Sequence, residues 1–346
     1  MRRFALKYIV LRTISTVIGL IIIIANFIIW NVSPDEIATL DPILLYRAVL
    51  FGLQAFMFSW LAFLTADSIS RFWWNRWRLS ETSAVETQEI TISTGKGNQI
   101  SGILYQPVND RDNPTPKKMI IVSYGFNDNL FRAQHIARSL AAAGFTALTW
   151  DYRGRGKTRG RITDLEGHLD DLRSLITHWS KEAITQHAQL YLCGWSMGGM
   201  LSINAGLGDD RVSRIFTWST WSDLRRRVLW RLYINPFTLL RYLFKGELLY
   251  VSRQRNLKVS PVHYALRIAQ DCGGQQNLQA LVNEKLFMCH ARNDTLVGYD
   301  NFKENVRAFS LPPSNQFIFK KGSHLLVRKE SILIGLMYRF FNGGER

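Results

Sequence analysis

Gly194-Trp195-Ser196-Met197-Gly198 follows the apolar run Gln189-Leu190-Tyr191-Leu192 and precedes a helix-compatible stretch, Leu201 to Leu207. A chain that reverses from strand to helix within one residue must hold that residue in a strained conformation. Glycines two before and two after the serine remove the side chains that would clash there. The Ser196 hydroxyl would then stand at the sheet edge, at the positive end of a helix. Serine is a poor nucleophile at neutral pH until an imidazole takes its proton. The imidazole needs a carboxylate on its other nitrogen to fix its tautomer, and the tetrahedral oxyanion needs N–H donors. The pentapeptide alone is equally compatible with a Gly-rich turn that does no chemistry, so the rest of the chain has to supply these partners.

The elements that position the turn can be read in order. From about Ser80 the composition becomes polar and mixed, which divides the chain into residues 1–79 and 80–346. Glu89 to Ser93 and Gln99 to Gln106 alternate apolar with polar around Gly95-Lys96-Gly97-Asn98, a hairpin pattern. Met119 to Ser123 is a short apolar strand that leads into Tyr124-Gly125-Phe126. A helix from Phe131 to Ala143 stops at Gly144, and Thr146 to Trp150 is again a strand. Strands alternating with helices predict a parallel, doubly wound α/β sheet. In Asp151-Tyr152-Arg153-Gly154-Arg155-Gly156-Lys157-Thr158, the last three residues resemble the end of a phosphate-binding loop. Asp151 occupies the position where that loop requires glycine, which excludes a nucleotide site.

Strand, Gly-Phe turn, helix, strand, Asp-x-Arg-Gly-x-Gly, helix, strand and Gly194-x-Ser196-x-Gly198 occur in one order. In that order the chain resembles the α/β-hydrolase family, in particular its lysophospholipase-like and esterase-like members, from roughly Ile90 to the C-terminus apart from one insertion. The resemblance implies an acid and then a histidine downstream of the serine. Asp294, just beyond the predicted strand Lys285 to Ala291, matches the family's acid; a turn-capping Asp is the plainer alternative. Asp300 is the fallback acid, although it sits where the next helix should begin. His324, in Lys320-Lys321-Gly322-Ser323-His324 after the predicted strand Gln316 to Phe319, matches the base. His135, His168 and His178 read as helix-surface residues, and His290 as a packed core histidine. The resemblance assigns the oxyanion donors to Met197 and Phe126. Tyr124-Gly125 replaces the His-Gly that related enzymes often carry there, so the oxyanion loop departs from the family pattern.

The charge and the apolar runs bound the setting. Lys+Arg number 43 against 27 Asp+Glu, a formal charge of +16 that suits an anionic surface. Cys193, Cys272 and Cys289 have no framework spacing, and two of them fall in predicted strands as buried thiols. Thr13 to Trp30 and Ala48 to Ala66 are uncharged and long enough to span a bilayer. Asp35, Glu36 and Asp41 lie between them, whereas Arg2, Arg3, Lys7 and Arg12 precede and Arg71, Arg76 and Arg78 follow. The expectation is a transmembrane helical hairpin with the catalytic domain on the cytoplasmic side; two buried helices of a soluble bundle are the alternative. Residues 221–282 form the insertion, where the family commonly carries a lid. Arg225, Arg226, Arg227, Arg231 and Arg241 interleave there with Trp221, Trp230, Tyr233 and Tyr242. A lid resting on anionic headgroups is preferred to nucleic-acid binding or to an aromatic acyl pocket. The last helix, Leu325 to Phe341, is too short to span and is expected to pack on the sheet.

These readings add up to a membrane-anchored α/β-hydrolase. It would cleave an acyl ester or thioester, lipid-derived ones included, through Ser196, Asp294 and His324. No metal or organic cofactor is expected, because no His/Cys/Asp cluster has ligand spacing. An acyltransferase using the same acyl-enzyme, or a catalytically silent binding scaffold, are the alternatives.

Overall fold

The computed structural model describes residues 50–58, 60–62, 82–94, 98–108, 118–126, 130–181, 189–228, 252–326 and 328–343, with residues 17, 21 and 24 as isolated helical positions. The chain divides into two compact units, Met1–Glu81 and Thr82–Arg346. In the first unit all of the first predicted span but residues 17, 21 and 24 lies outside the described residues, whereas 50–58 and 60–62 of the second are described. The described positions are helical, and Val17, Ile21, Ile24, Leu53, Phe56 and Met57 expose their apolar side chains. Among the described residues no helix is long and apolar enough to cross a membrane.

The second unit is built on an eight-stranded sheet. Its strands are β1 (Val85–Ser93), β2 (Gln99–Pro107), β3 (Lys118–Ser123), β4 (Thr146–Trp150), β5 (Gln189–Trp195), β6 (Val212–Trp218), β7 (Leu286–Ala291) and β8 (Gln316–Phe319). They lie in the order β1-β2-β4-β3-β5-β6-β7-β8. β1 and β2 form the predicted antiparallel hairpin, β2 runs antiparallel to β4, and the remaining pairings are parallel. The expected doubly wound sheet is therefore present. Its parallel strands are continuous apolar runs because helices cover both faces. The chain moves outward from β3 to β4, then crosses back to β5. That reversal opens a crevice beyond the carboxyl ends of β3 and β5, where open α/β sheets place their ligands.

Helix α1 (Leu130–Ala142) buries Ala133, Ile136, Ala137, Leu140 and Ala141, an i, i+3, i+4, i+7, i+8 stripe against the sheet. Helix α2 is Leu165–Lys181, and α3 (Met197–Gly206) has every residue buried. It is central, packed on β5 and covered by α2, which is why its sequence carries no polar face. After a short turn α4 (Leu224–Arg227), the described part of the insertion forms α5 (Arg253–Val259), α6 (Pro261–Asp271) and α7 (Gln275–Lys285). Helix α8 (Tyr299–Ala308) follows β7, and α9 (Glu330–Phe341) closes the chain. As expected, α9 buries Leu333, Met337, Phe340 and Phe341. It begins at Glu330 rather than Leu325, because Leu326 and Arg328 take left-handed backbone with φ of 50° and 63°. Cys193 and Cys289 are buried in β5 and β7, and burial pushes both thiols up.

His168 departs from the surface position expected of it. It lies fully buried on the inner face of α2, under the Tyr152 ring. Helical periodicity places it beside Leu165, Leu169 and Leu172, on the face that packs inward. Its Nε2–H donates to the Ile162 carbonyl at 2.9 Å, while Nδ1 is buried with no protein partner. Nearby, the Arg153 guanidinium makes a bidentate pair with the buried Asp171 at 2.7 Å and reaches Asp164 at 2.8 Å. This is the structural work of Arg153 in the Asp-x-Arg-Gly-x-Gly stretch, since it ties the loop after β4 to α2.

Burial is the main reason the His168 pKa falls to about 4. The unfolded chain binds a proton at this residue below pH ~6.5, whereas the folded chain does not do so until about pH 4. Stability from this group is therefore complete above pH ~6.5 and is lost as pH falls below it, at roughly 1.4 kcal/mol per pH unit. Urea unfolding at pH 7 and pH 5 should show a loss of about 2 kcal/mol that His168→Gln largely removes. An unchanged pH slope in the variant would contradict the assignment.

Candidate active site

The sharpest turn in the molecule lies between β5 and α3. Ser196 has φ 54° and ψ −118°, in the left-handed half of the map that side chains rarely occupy. A Cβ on Gly194 would run into the Gly198 carbonyl, and one on Gly198 into the Ser123 carbonyl. Those two glycines let α3 start directly against β5 and β3, with Ser196 on the apex. The serine is held from the backbone, its N–H donating to the Trp218 carbonyl at 3.1 Å. Met197 opens α3, so its N–H belongs to the first turn, whose amides have no partner within the helix.

The turn after β3 meets this apex. A methyl group on Gly125 would stand 3.3 Å from Ser196 Cβ and 3.2 Å from Trp195 Nε1. Phe126 follows, buried. Tyr124, where a histidine was the family expectation, packs its ring 4.2 Å from that of Tyr152. The Tyr152 hydroxyl donates to the Tyr124 carbonyl at 2.6 Å, and the Trp150 indole N–H donates to Ser123 Oγ at 3.1 Å. The β4 end thus pins the peptide that leads into Gly125 and Phe126. Tyr152 was not singled out in the sequence. Its signal there was only an aromatic residue inside the Asp-x-Arg-Gly-x-Gly stretch.

Asp294 and His324 come together from two different loops. His324 Nδ1 lies 2.9 Å from Asp294 Oδ2, and the carboxylate is fully buried. Its other oxygen accepts the N–H groups of Leu296 at 3.0 Å and Val297 at 2.9 Å. With Oδ1 occupied, Oδ2 faces the imidazole. His290, buried as expected of a core histidine, donates through Nε2 to the Val297 carbonyl at 2.8 Å and stands 3.6 Å from Asp294 Oδ2. Burial lowers its pKa, which keeps it neutral beside the carboxylate. Asn293 was also missed. Its Oδ1 accepts the N–H groups of Gly322 at 2.9 Å and Ser323 at 3.1 Å, stitching the His324 loop to the Asp294 loop. Asp300 sits in the first turn of α8, 3.3 Å from Arg227. It makes no contact with His324.

The strand ends form a continuous row. Ser196 N–H reaches Trp218 O, Ser219 N–H reaches Cys289 O at 3.1 Å, and Arg292 N–H reaches Phe319 O at 2.9 Å. The loops that bear Ser196, Asp294 and His324 therefore leave the same edge of one rigid sheet. A hydroxyl at a strained apex, an imidazole backed by a buried carboxylate and a helix N-terminus at one edge have the components of general-base-assisted acyl transfer. Among the described residues no group of His, Cys, Asp and Glu could hold a metal ion.

A family model described as serine aminopeptidase, S33 matches residues 114–245. A monoacylglycerol lipase of Mycolicibacterium smegmatis is 29% identical over 89 residues, 24% of this chain and 30% of that protein. The chain thus matches less than a third of the length of that relative. An esterase of Pyrococcus furiosus superposes with a TM-score of 0.57 at 16% identity, covering 75% of this chain and 91% of that one. Acetyl xylan esterase 1 of a Thermoanaerobacterium species gives 0.53 at 15% identity, with 76% and 85% covered. The sheet order and these likenesses show the α/β-hydrolase fold.

Tyr152→Phe removes the hydrogen bond from the Tyr152 hydroxyl to the buried Tyr124 carbonyl. The variant should therefore lose about 1 kcal/mol in urea unfolding. A loss below ~0.5 kcal/mol would mean that the bond does not hold this turn.

Proposed function

We propose that this α/β-hydrolase-fold chain is a serine hydrolase that cleaves an acyl ester or thioester. Ser196 Oγ attacks the acyl carbon while His324 Nε2 takes its proton. Asp294 holds the Nδ1–H tautomer and stabilises the imidazolium that forms. The N–H groups of Met197 and Phe126 receive the tetrahedral oxyanion. The intermediate collapses as His324 returns its proton to the leaving alcohol or thiol, which leaves the acyl group on Ser196. Water then attacks, again with His324 as base, and releases the acid. The observation that carries this reading is the 2.9 Å contact between His324 and the buried Asp294. Two loops far apart in sequence converge there on the edge that also bears the strained serine. The lipase relative supports an acyl ester as substrate, and the description of the matching family supports an aminoacyl amide as the second class to assay.

A fluorophosphonate should label the wild-type protein and fail to label Ser196→Ala. Ser196→Ala and His324→Ala should each lower kcat roughly ten-thousand-fold without unfolding the protein, because the groups act as a unit. Asp294→Asn should be severe and Asp300→Asn mild. Near-full activity in Asp294→Asn together with loss in Asp300→Asn would overturn the choice of acid. A Ser196→Ala protein that still turns over esters would overturn the reaction.

We further propose that the apolar stretches Thr13–Trp30 and Ala48–Ala66 anchor the chain as a helical hairpin. The absence of Lys and Arg between Asn31 and Pro42, against the cations on both outer flanks, supports a cytoplasmic catalytic domain. With the native cysteines removed, Ser33→Cys should react with an impermeant thiol reagent added to intact cells, and Ser80→Cys should be silent. The opposite pattern would reverse the orientation.

A further inference from the structure

The edge of the sheet that bears Ser196 has a positive rim. Arg292 follows β7; Lys320, Lys321 and Arg328 follow β8; Arg159 and Arg161 follow β4. All six are exposed, and among the described residues none forms an ion pair. Away from the rim, many surface cations are taken up by acids. Arg211 meets Asp209 at 2.7 Å, Lys258 meets Glu166 at 3.0 Å, and Arg227 is held by Asp300 and Glu304. The acids of the rim loops are already committed. Asp151 is buried and accepts the Lys157 N–H at 3.1 Å, Asp164 takes Arg153, and Asp294 holds His324. Among the described residues no acid of those loops forms an ion pair with the exposed cations.

The cations lie where they bear on the active site. Ala291 pairs with Phe319, so Arg292 and Lys320 leave neighbouring strands side by side, and Asn293 binds their two loops together. In the sheet order, β4 lies two strands from β5 on one side and β7 two strands on the other, roughly 10 Å each way. The loops that carry the two banks of charge therefore leave the sheet on either side of the serine turn. Like charges crowded without counter-charges raise the local potential and favour an anionic partner.

We infer that this rim docks on the phosphates of an anionic lipid surface and turns the mouth over Ser196 toward it. The consequence for turnover rests on the acyl-hydrolase reading; the docking does not. A single-stranded nucleic acid would require exposed aromatic rings on which its bases stack beside the cations. Here Tyr124, Trp150, Tyr152, Trp195 and Trp218 are buried, and the half-buried Tyr299 ring is occupied by Arg292 and Lys303 at 5.9 and 5.4 Å. A bilayer asks only for charge presented on one face, and the same chain carries two apolar stretches of spanning length.

The test uses the full chain in vesicles of phosphatidylcholine alone and of phosphatidylcholine mixed with phosphatidylglycerol. Amine acetylation followed by mass spectrometry should show Lys320 and Lys321 protected several-fold in the anionic vesicles. The protection should vanish at high salt, where the screening length falls to about 3 Å. A long-chain nitrophenyl ester dissolved in the bilayer should be cleaved several-fold faster in the anionic vesicles. The combined variant Arg292→Gln, Lys320→Gln, Lys321→Gln should lose that advantage and keep its rate on a short soluble ester. Equal labelling in the two lipids would overturn the proposal, as would stronger protection by a single-stranded oligonucleotide. Labelling needs no turnover, so Ser196→Ala protein should give the same footprint. An intact footprint on a wild-type protein that cleaves no ester would overturn the catalytic reading and leave the docking surface standing.

Discussion

Everything in the second unit is arranged around one steric constraint, the reversal of the chain between β5 and α3 with Ser196 at φ 54°. A side chain in that conformation is costly unless its surroundings over-determine it. Here β3 crowds it from below, the Gly194–Gly198 approach closes it from the side, and an entirely buried helix fixes its direction. The strain persists because sheet and helix packing outweigh it. Its product is a hydroxyl that no regular element could present.

The second requirement is electrostatic. A fully buried carboxylate needs donors, and Asp294 has two backbone N–H groups on one oxygen and an imidazole on the other. That division of labour fixes which oxygen meets His324, and Asn293 sets how closely the histidine loop approaches. The cationic surroundings follow from the same economy. The acids at this edge are engaged by their own loops and by Arg153 and His324, and the exposed cations beside them carry no ion pair among the described residues. The segment is therefore polar in two senses, acidic beside the His324 imidazole and basic where it meets the medium.

Much of the fold was legible in the sequence because strands, turns and helix stops are local. Thr146–Trp150 and Gln316–Phe319 are apolar or β-branched runs bounded by Gly, Pro and polar residues, and both form strands with those bounds. The end of α1 at Gly144 was equally plain, since a left-handed stop suits glycine. The start of α9 was not, because nothing in Leu325-Leu326 signals the left-handed backbone that the His324 loop imposes there. His168 was misplaced for a related reason. A histidine among charged residues reads as surface, and only the packing of α2 under Tyr152 turns it inward.

For the site, the sequence by itself determined the strained serine, through glycines whose spacing answers a purely local steric demand. It also placed Asp294 and His324 just beyond strands. It placed Asp294 ahead of Asp300 by position alone, one just beyond a strand and the other where a helix begins. What the tertiary structure adds is the pairing of β7 and β8 in register, which brings Asp294 Oδ2 to 2.9 Å from His324 Nδ1, while α8 directs Asp300 to Arg227. The same holds for Tyr152, Asn293 and His290. Each acts through a partner distant in the chain or through a bend of the backbone, and neither leaves a periodicity that a linear reading can detect.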